Sequence, residues 1–151
     1  VRKGIVKVYD DGSEFPIGKG VVLHESDKDV ATIITSGIMV DEALKAYEAL
    51  QAEGISVRVI DMFTWKPIDA QLVARCAEDT GAIVTAENHN TIGGLGSAVA
   101  EAAVKSVPCP IEMVGSNDQF GQVGTEAYLR QAYNLTAEAI VEAAKRAIER
   151  K

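Results

Sequence analysis

Val30-Ala31-Thr32-Ile33-Ile34-Thr35-Ser36-Gly37 is β-branched almost throughout and then breaks at Ser36-Gly37, the pattern of a buried strand entering a turn. Immediately after it, Val40, Ala43, Leu44, Tyr47 and Leu50 recur at helical spacing, with Asp41 and Glu42 in the first turn and Gly54 placed as a left-handed stop. Ser56–Ile60 is again strand-like. Strand, helix and strand in this order make a β-α-β unit, which requires a parallel sheet and a crossover helix.

Working outward, the alternation continues. Pro67 and Asp69 announce a second helix, with Asp69 as N-cap and Leu72, Val73, Cys76 and Ala77 as its buried stripe, closed by Gly81. Ala82–Ala86 is the next strand, followed by a glycine-rich turn and a helix over Leu95–Ser106. Pro108 and Pro110 bracket the entry to a strand at Ile111–Val114. A short helix near Thr125–Gln131 and a longer one from Thr136, carrying Ile140, Val141, Ala144, Ala147 and Ile148 on one face, finish the chain. On the amino-terminal side, Gly20–Glu25 reads as a short strand. Its link to Val30 is too short for a parallel crossover, so it is expected to run antiparallel. Residues 1–20, with Gly4, Gly12, Pro16, Gly18 and Gly20, read as a connector without helical period, leaving 21–151 as one α/β domain. Because the chain begins at Val1 rather than Met, it is expected to be an excised piece, a processed product or part of a longer polypeptide.

The 151 residues are 47% hydrophobic, enough for one real core, and 25% charged with a formal net charge of −7. That field repels a phosphate backbone, so nucleic acid is excluded as a partner. The basic cluster Lys145, Arg146, Arg150 and Lys151 lies at a helix end, where cations complement the helix dipole. Apolar runs fall short of the ~18 residues of a membrane span. Cys76 and Cys109 stand outside any CxxC or metal-ligand pattern, which points to a reduced, cytoplasmic protein.

Polar residues gather after the third main strand, in Glu87-Asn88-His89-Asn90-Thr91-Ile92-Gly93-Gly94-Leu95-Gly96-Ser97. A glycine-rich turn into a helix exposes N–H groups that suit an anion. Yet Val99 stands where a dinucleotide fingerprint needs Gly or Ala, and no GxxxxGK[ST] occurs. Tight helix–strand packing or a subunit contact is the alternative role for Gly93, Gly94 and Gly96. Glu87 and His89 are candidates for an acid/base pair, although no Ser or Cys nucleophile motif accompanies them. In Gly115-Ser116-Asn117-Asp118-Gln119-Phe120-Gly121, Asn117 and Asp118 are turn formers and Phe120 is expected to anchor the loop onto the core. Asp118 lacks the oxygen partners of a metal site. Trp65 is expected to be a hydrophobic cap or an interface contact.

In order and spacing, these segments resemble the C-terminal domain of the transketolase family. The matching residues are Ile33–Gly37, Ala43-Leu44, Val57–Asp61 with Lys66-Pro67-Ile68-Asp69, Glu87-Asn88-His89, Gly93–Ala98, and Gly115, Asp118, Phe120, Gly121 and Gly124. The resemblance implies a three-layer α/β/α domain, mostly parallel, of about five strands with the first antiparallel. It also implies a dimeric enzyme in which thiamine diphosphate and Mg²⁺ bind between two other domains and a two-carbon ketol unit passes between sugar phosphates. This sequence lacks the Gly-Asp-Gly motif of the metal–diphosphate site, and Asp10-Asp11-Gly12 does not supply it. The expectation is therefore a non-catalytic assembly domain that binds no cofactor itself, whose partners are the remaining domains or an N-terminal subunit, and which is a homo-oligomer. Deoxyxylulose-phosphate synthase and the β subunit of a 2-oxo acid dehydrogenase are related alternatives. A free-standing small-anion or nucleotide-binding module using the Gly93–Ser97 turn is the alternative from another class. Candidate loop and interface residues are Trp65, Glu87, His89, Asn90, Gly93, Gly94, Gly96, Asp118, Phe120 and Gly121.

Overall fold

The computed structural model describes residues 6–151, so the start of the connector, including Arg2 and Gly4, lies outside the described residues. Among the described residues, five strands and five helices follow in the order β1 (Val21–His24), β2 (Ala31–Thr35), α1 (Met39–Ala52), β3 (Val57–Asp61), α2 (Ala70–Thr80), β4 (Ile83–Asn90), α3 (Leu95–Val104), β5 (Ile111–Ser116), α4 (Glu126–Ala132) and α5 (Ala137–Glu149). They form one sheet of order β1-β3-β2-β4-β5. β2 pairs in parallel with β3 and with β4, and β4 in parallel with β5. β1 runs antiparallel, as the short link requires. Its neighbour is β3 rather than the strand that follows it, because both edges of β2 are already taken.

Alternation along each strand sorts the side chains into two cores. Ala31, Ile33, Val57, Val59, Val84 and Ala86 point to one face and pack under α1 and α5. Ile34, Ile60 and Ile83 point to the other, under α2 and α3. Each fully buried Ile or Leu contributes about 1.5–3 kcal/mol. Several buried polar residues are paired: Thr32 meets Thr80 of α2 at 2.9 Å, and Arg58 donates to Asp79 at 2.8 Å.

Local sequence fixes the helix ends. The Asp69 carboxylate accepts the N–H of Leu72 at 3.1 Å, and Thr125 and Thr136 accept from Tyr128 and Ala139, both at 3.3 Å. Gly54 and Gly81 stand beyond α1 and α2 with φ of +79° and +68°, the left-handed conformation that glycine adopts without a Cβ clash. α3 ends at Val104 rather than Ser106, whose hydroxyl turns back onto the carbonyl of Ala102. β5 runs two residues past Val114, because Ser116 still pairs with Asn90 of the lengthened β4.

The described part of the connector lies along the carboxyl end of β3. The Tyr9 hydroxyl donates to Asp61 at 2.6 Å, and Phe15 stacks edge-on against both Tyr9 and Phe63. The N–H of Gly18 donates to Thr64, and that of Gly20 to Asp69. Asp61 is 5% exposed and its Oδ1 has no hydrogen-bond partner. Burial raises its carboxyl above the ordinary range, and the Tyr9 hydrogen bond only partly opposes this. A carboxyl raised on folding contributes stability that is complete below its unfolded pKa and is lost as pH climbs through the folded value. Relative to the parent, Asp61→Asn is therefore expected to gain stability as pH rises from about 4 toward neutrality. Urea denaturation of both proteins across that range checks the trend; a stability difference flat with pH would refute it.

Candidate functional site

The third main strand continues through the polar cluster, and β4 ends only at Asn90. A register irregularity between Ala86 and Asn90 marks where it leaves regular pairing with β5. Glu87 sits in this stretch, fully buried. Its Oε2 accepts the N–H of Leu95 at 2.7 Å and its Oε1 the N–H of Gly96 at 2.8 Å. The anion that a glycine-rich helix start attracts is thus supplied by the chain itself, two charge-assisted bonds on the positive end of α3. The neighbouring donors are also engaged: Ile92 N–H on Asn90 Oδ1 at 2.9 Å and Gly93 N–H on Ser97 Oγ at 2.8 Å.

Glycine is required here mainly for space. Gly94 has extended backbone, and a Cβ there would fall on the Glu87 carboxylate. A Cβ on Gly96 would lie 2.8 Å from Met113 Sδ and 2.9 Å from Thr85 Oγ1. Gly93, by contrast, has φ of +76° and open space around it.

His89 is exposed, with Nδ1 3.0 Å from the carbonyl of Asn90 and 4.0 Å from Glu87 Oε2. Both Glu87 oxygens face α3, so the carboxylate is held as a cap and the imidazole lies beside it. Trp65, half-buried against the α2–α3 core, meets the His89 ring edge-on at 5.9 Å. Asn90 donates to Asp118 at 3.4 Å, and the N–H of Thr91 to the Ser116 carbonyl at 3.0 Å, so the loops after β4 and β5 are joined.

Asp118 has φ of +49°, a turn conformation that Asp tolerates. Phe120 does not anchor this loop: it is fully exposed (100%), as is Val123. Tyr133 anchors it instead. Its hydroxyl donates to the Phe120 carbonyl at 2.9 Å and accepts the N–H of Gln122 at 2.6 Å. Gly121 has open space around it. Beneath the loop lies a cleft of about 880 Å³ between the carboxyl ends of β2, β4 and β5 and helix α4. Sequence reading missed Glu42, taken only as a first-turn acid. It is buried and accepts from Arg130 at 2.7 Å and from the N–H of Ala137 at 2.8 Å, tying α1 to α4 and α5. Spacing carried no signal for a contact 88 residues away.

The start of α3 does not fit a metal-bound diphosphate. Among the described residues, His, Cys, Asp and Glu form no cluster of three that could hold a metal ion, and the helix-start donors that suit an anion are occupied by Glu87. Nor is any helix of the described residues long and apolar enough to cross a membrane.

The family model for the transketolase C-terminal domain matches residues 18–140. The chain is 46% identical over its full length to a 6-deoxy-6-sulfo-D-fructose transketolase subunit of Clostridium sp. (strain MSTE9), spanning 46% of that protein. It is 39% identical over 93% of its length to the 1-deoxy-D-xylulose-5-phosphate synthase of Heliobacterium modesticaldum, spanning 22% of that enzyme. A solved structure described as a split gene transketolase, inactive β4 tetramer, superposes with a TM-score of 0.93 at 47% identity, over 98% of this chain and 48% of that one. The chain thus spans less than half the length of these relatives.

Glu87→Gln keeps the shape but replaces one acceptor with an NH₂ group facing an N–H, and is expected to cost about 1–3 kcal/mol. Gly94→Val is expected to cost at least as much, through the steric clash. Thermal and urea denaturation measure both, and melting unchanged in both variants would refute the built-in anion.

Proposed function

The chain belongs to the transketolase C-terminal domain family, and we propose that it is the non-catalytic assembly domain of a thiamine-diphosphate-dependent enzyme that transfers a two-carbon ketol unit between sugar phosphates. The observation that carries this reading is the likeness along nearly the whole chain to a split-gene transketolase, together with the 46% identity to a transketolase subunit. The thiamine diphosphate, held with Mg²⁺ by the remaining domains or by an N-terminal subunit, supplies the electron sink of the reaction. Residues 1–20 lead in from a preceding domain, and 21–151 form the assembly unit. We place the complete enzyme in the cytoplasm.

The assembly surface is the carboxyl edge of the sheet, with Trp65, His89, Asn90, Asp118, Phe120 and Gly121 as contact residues. Glu87, Gly93, Gly94 and Gly96 fix the shape of that edge. Exposed Phe120, Val123 and Ile92 support this role, since side chains of that size stay dry only when a partner covers them. The same residues support self-association of the chain. A free-standing anion-binding module is the weaker reading, because its donors are already engaged by Glu87. A domain of a 1-deoxy-D-xylulose-5-phosphate synthase is a second reading, favoured by the Heliobacterium relative.

With thiamine diphosphate, Mg²⁺, a ketose phosphate and an aldose phosphate, the chain alone is expected to give no ketol transfer. Joined to or mixed with the remainder of its enzyme, it is expected to restore the activity. Turnover by the chain alone would overturn the non-catalytic role. A reconstituted enzyme that joins two carbons of pyruvate to glyceraldehyde 3-phosphate, releasing CO₂ and 1-deoxyxylulose 5-phosphate, and transfers no ketol, would select the second reading.

A further inference from the structure

The cleft under the loop after β5 occupies a distinctive place in the topology. From β2 the chain moves to β3 on one side, then crosses to β4 on the other. The helix after β2 packs on one face of the sheet and the helix after β4 on the opposite face. The connections therefore diverge between the carboxyl ends of β2 and β4, where open α/β sheets form their binding crevices. Ile38, just after β2, and Asn88, near the end of β4, both line the cleft.

The lining is mostly uncharged and mixes polar with apolar groups; Glu126 and Arg130 are its charged members. Asn88, Gln119 and Gln122 bring carboxamides and Ser116 a hydroxyl, while Ile38 and Leu129 bring hydrocarbon. Gln122 already uses its Oε1 to accept from Tyr128 at 2.7 Å, leaving its NH₂ to donate. Arg130, the cation in the wall, is held between Glu42 at 2.7 Å and Glu126 at 2.8 Å, so its charge is matched before any ligand arrives. Carboxamides offer donor and acceptor side by side, which suits hydroxyl groups that are also both. An apolar wall suits the C–H face of a saturated ring. An anion meets no unmatched positive charge here and faces a chain of net charge −7. At about 880 Å³ the cleft has room for one or two rings.

We propose that this cleft is a binding site for an uncharged, polyhydroxylated ligand of sugar type. The test titrates maltose into the ¹⁵N-labelled chain and follows its amide resonances by NMR, with glucose 6-phosphate as the parallel anionic probe. Expected are saturable shifts with maltose at about millimolar affinity, confined to the Asn88 and Gln119 side-chain amides and the backbone of 116–125. Asn88→Ala combined with Gln119→Ala, both at exposed positions, is expected to weaken maltose binding about tenfold or more. Absence of saturable maltose shifts, shifts that map elsewhere, or tighter binding of glucose 6-phosphate would each overturn the site. So would unchanged affinity in the folded double variant. Should that variant not fold, the map of shifts on the unaltered chain decides alone.

Discussion

Everything at the carboxyl edge depends on where the Glu87 carboxylate lies. A fully buried charge survives only with matched partners, and here the partners are two N–H groups at the start of α3. Meeting them demands a strand that runs past its regular pairing to bring Glu87 under the helix, and a residue without a Cβ at Gly94. It also demands close approach of α3 to β5 at Gly96. The length of β4, the glycine spacing and the seat of α3 are three consequences of one electrostatic requirement.

A second buried carboxylate does comparable work on the opposite face. Glu42 binds Arg130 of α4 and the first turn of α5. α4 fully buries none of its residues and half-buries Leu129, so apolar packing contributes little to its seat. It is held by charge and by the hydroxyls of Tyr128 and Tyr133 acting on the loop before it. One carboxylate thus seats α3 beside the sheet edge and the other seats α4, and the cleft lies between α4 and the carboxyl ends of β2, β4 and β5.

The architecture was legible in the sequence because its signals are local: β-branched runs, helical spacing, Asp69 as a cap, Gly54 and Gly81 as stops. The direction of β1 was legible from the length of one link. That β3 is its neighbour was not, since this follows from the order of the whole sheet. The candidate site was legible as a place, and less so as chemistry. Glu87 bonds to residues eight and nine positions ahead on another element, a separation with no period to reveal it. Phe120 was misread because large apolar side chains usually turn inward. Here Tyr133 does the anchoring through its hydroxyl, which hydrophobic patterning does not register. Full-length likeness to transketolase relatives supports the fold reading strongly, while the work of the edge residues rests on their geometry.

The face under α1 and α5 is packed with small residues: Ala43, Ala46, Ala143, Ala144 and Ala147 are all without solvent exposure. Alanine at such contacts lets helices approach each other and the sheet closely, with no room for an added methylene. A larger side chain at any of these positions would have to displace a helix. The loops after β4 and β5, held mainly by backbone-directed hydrogen bonds, can exchange their outward side chains with little cost to the core. The alanine-packed face is thus the rigid floor of the domain, and the loops at the carboxyl edge are the part that can be reshaped without disturbing it.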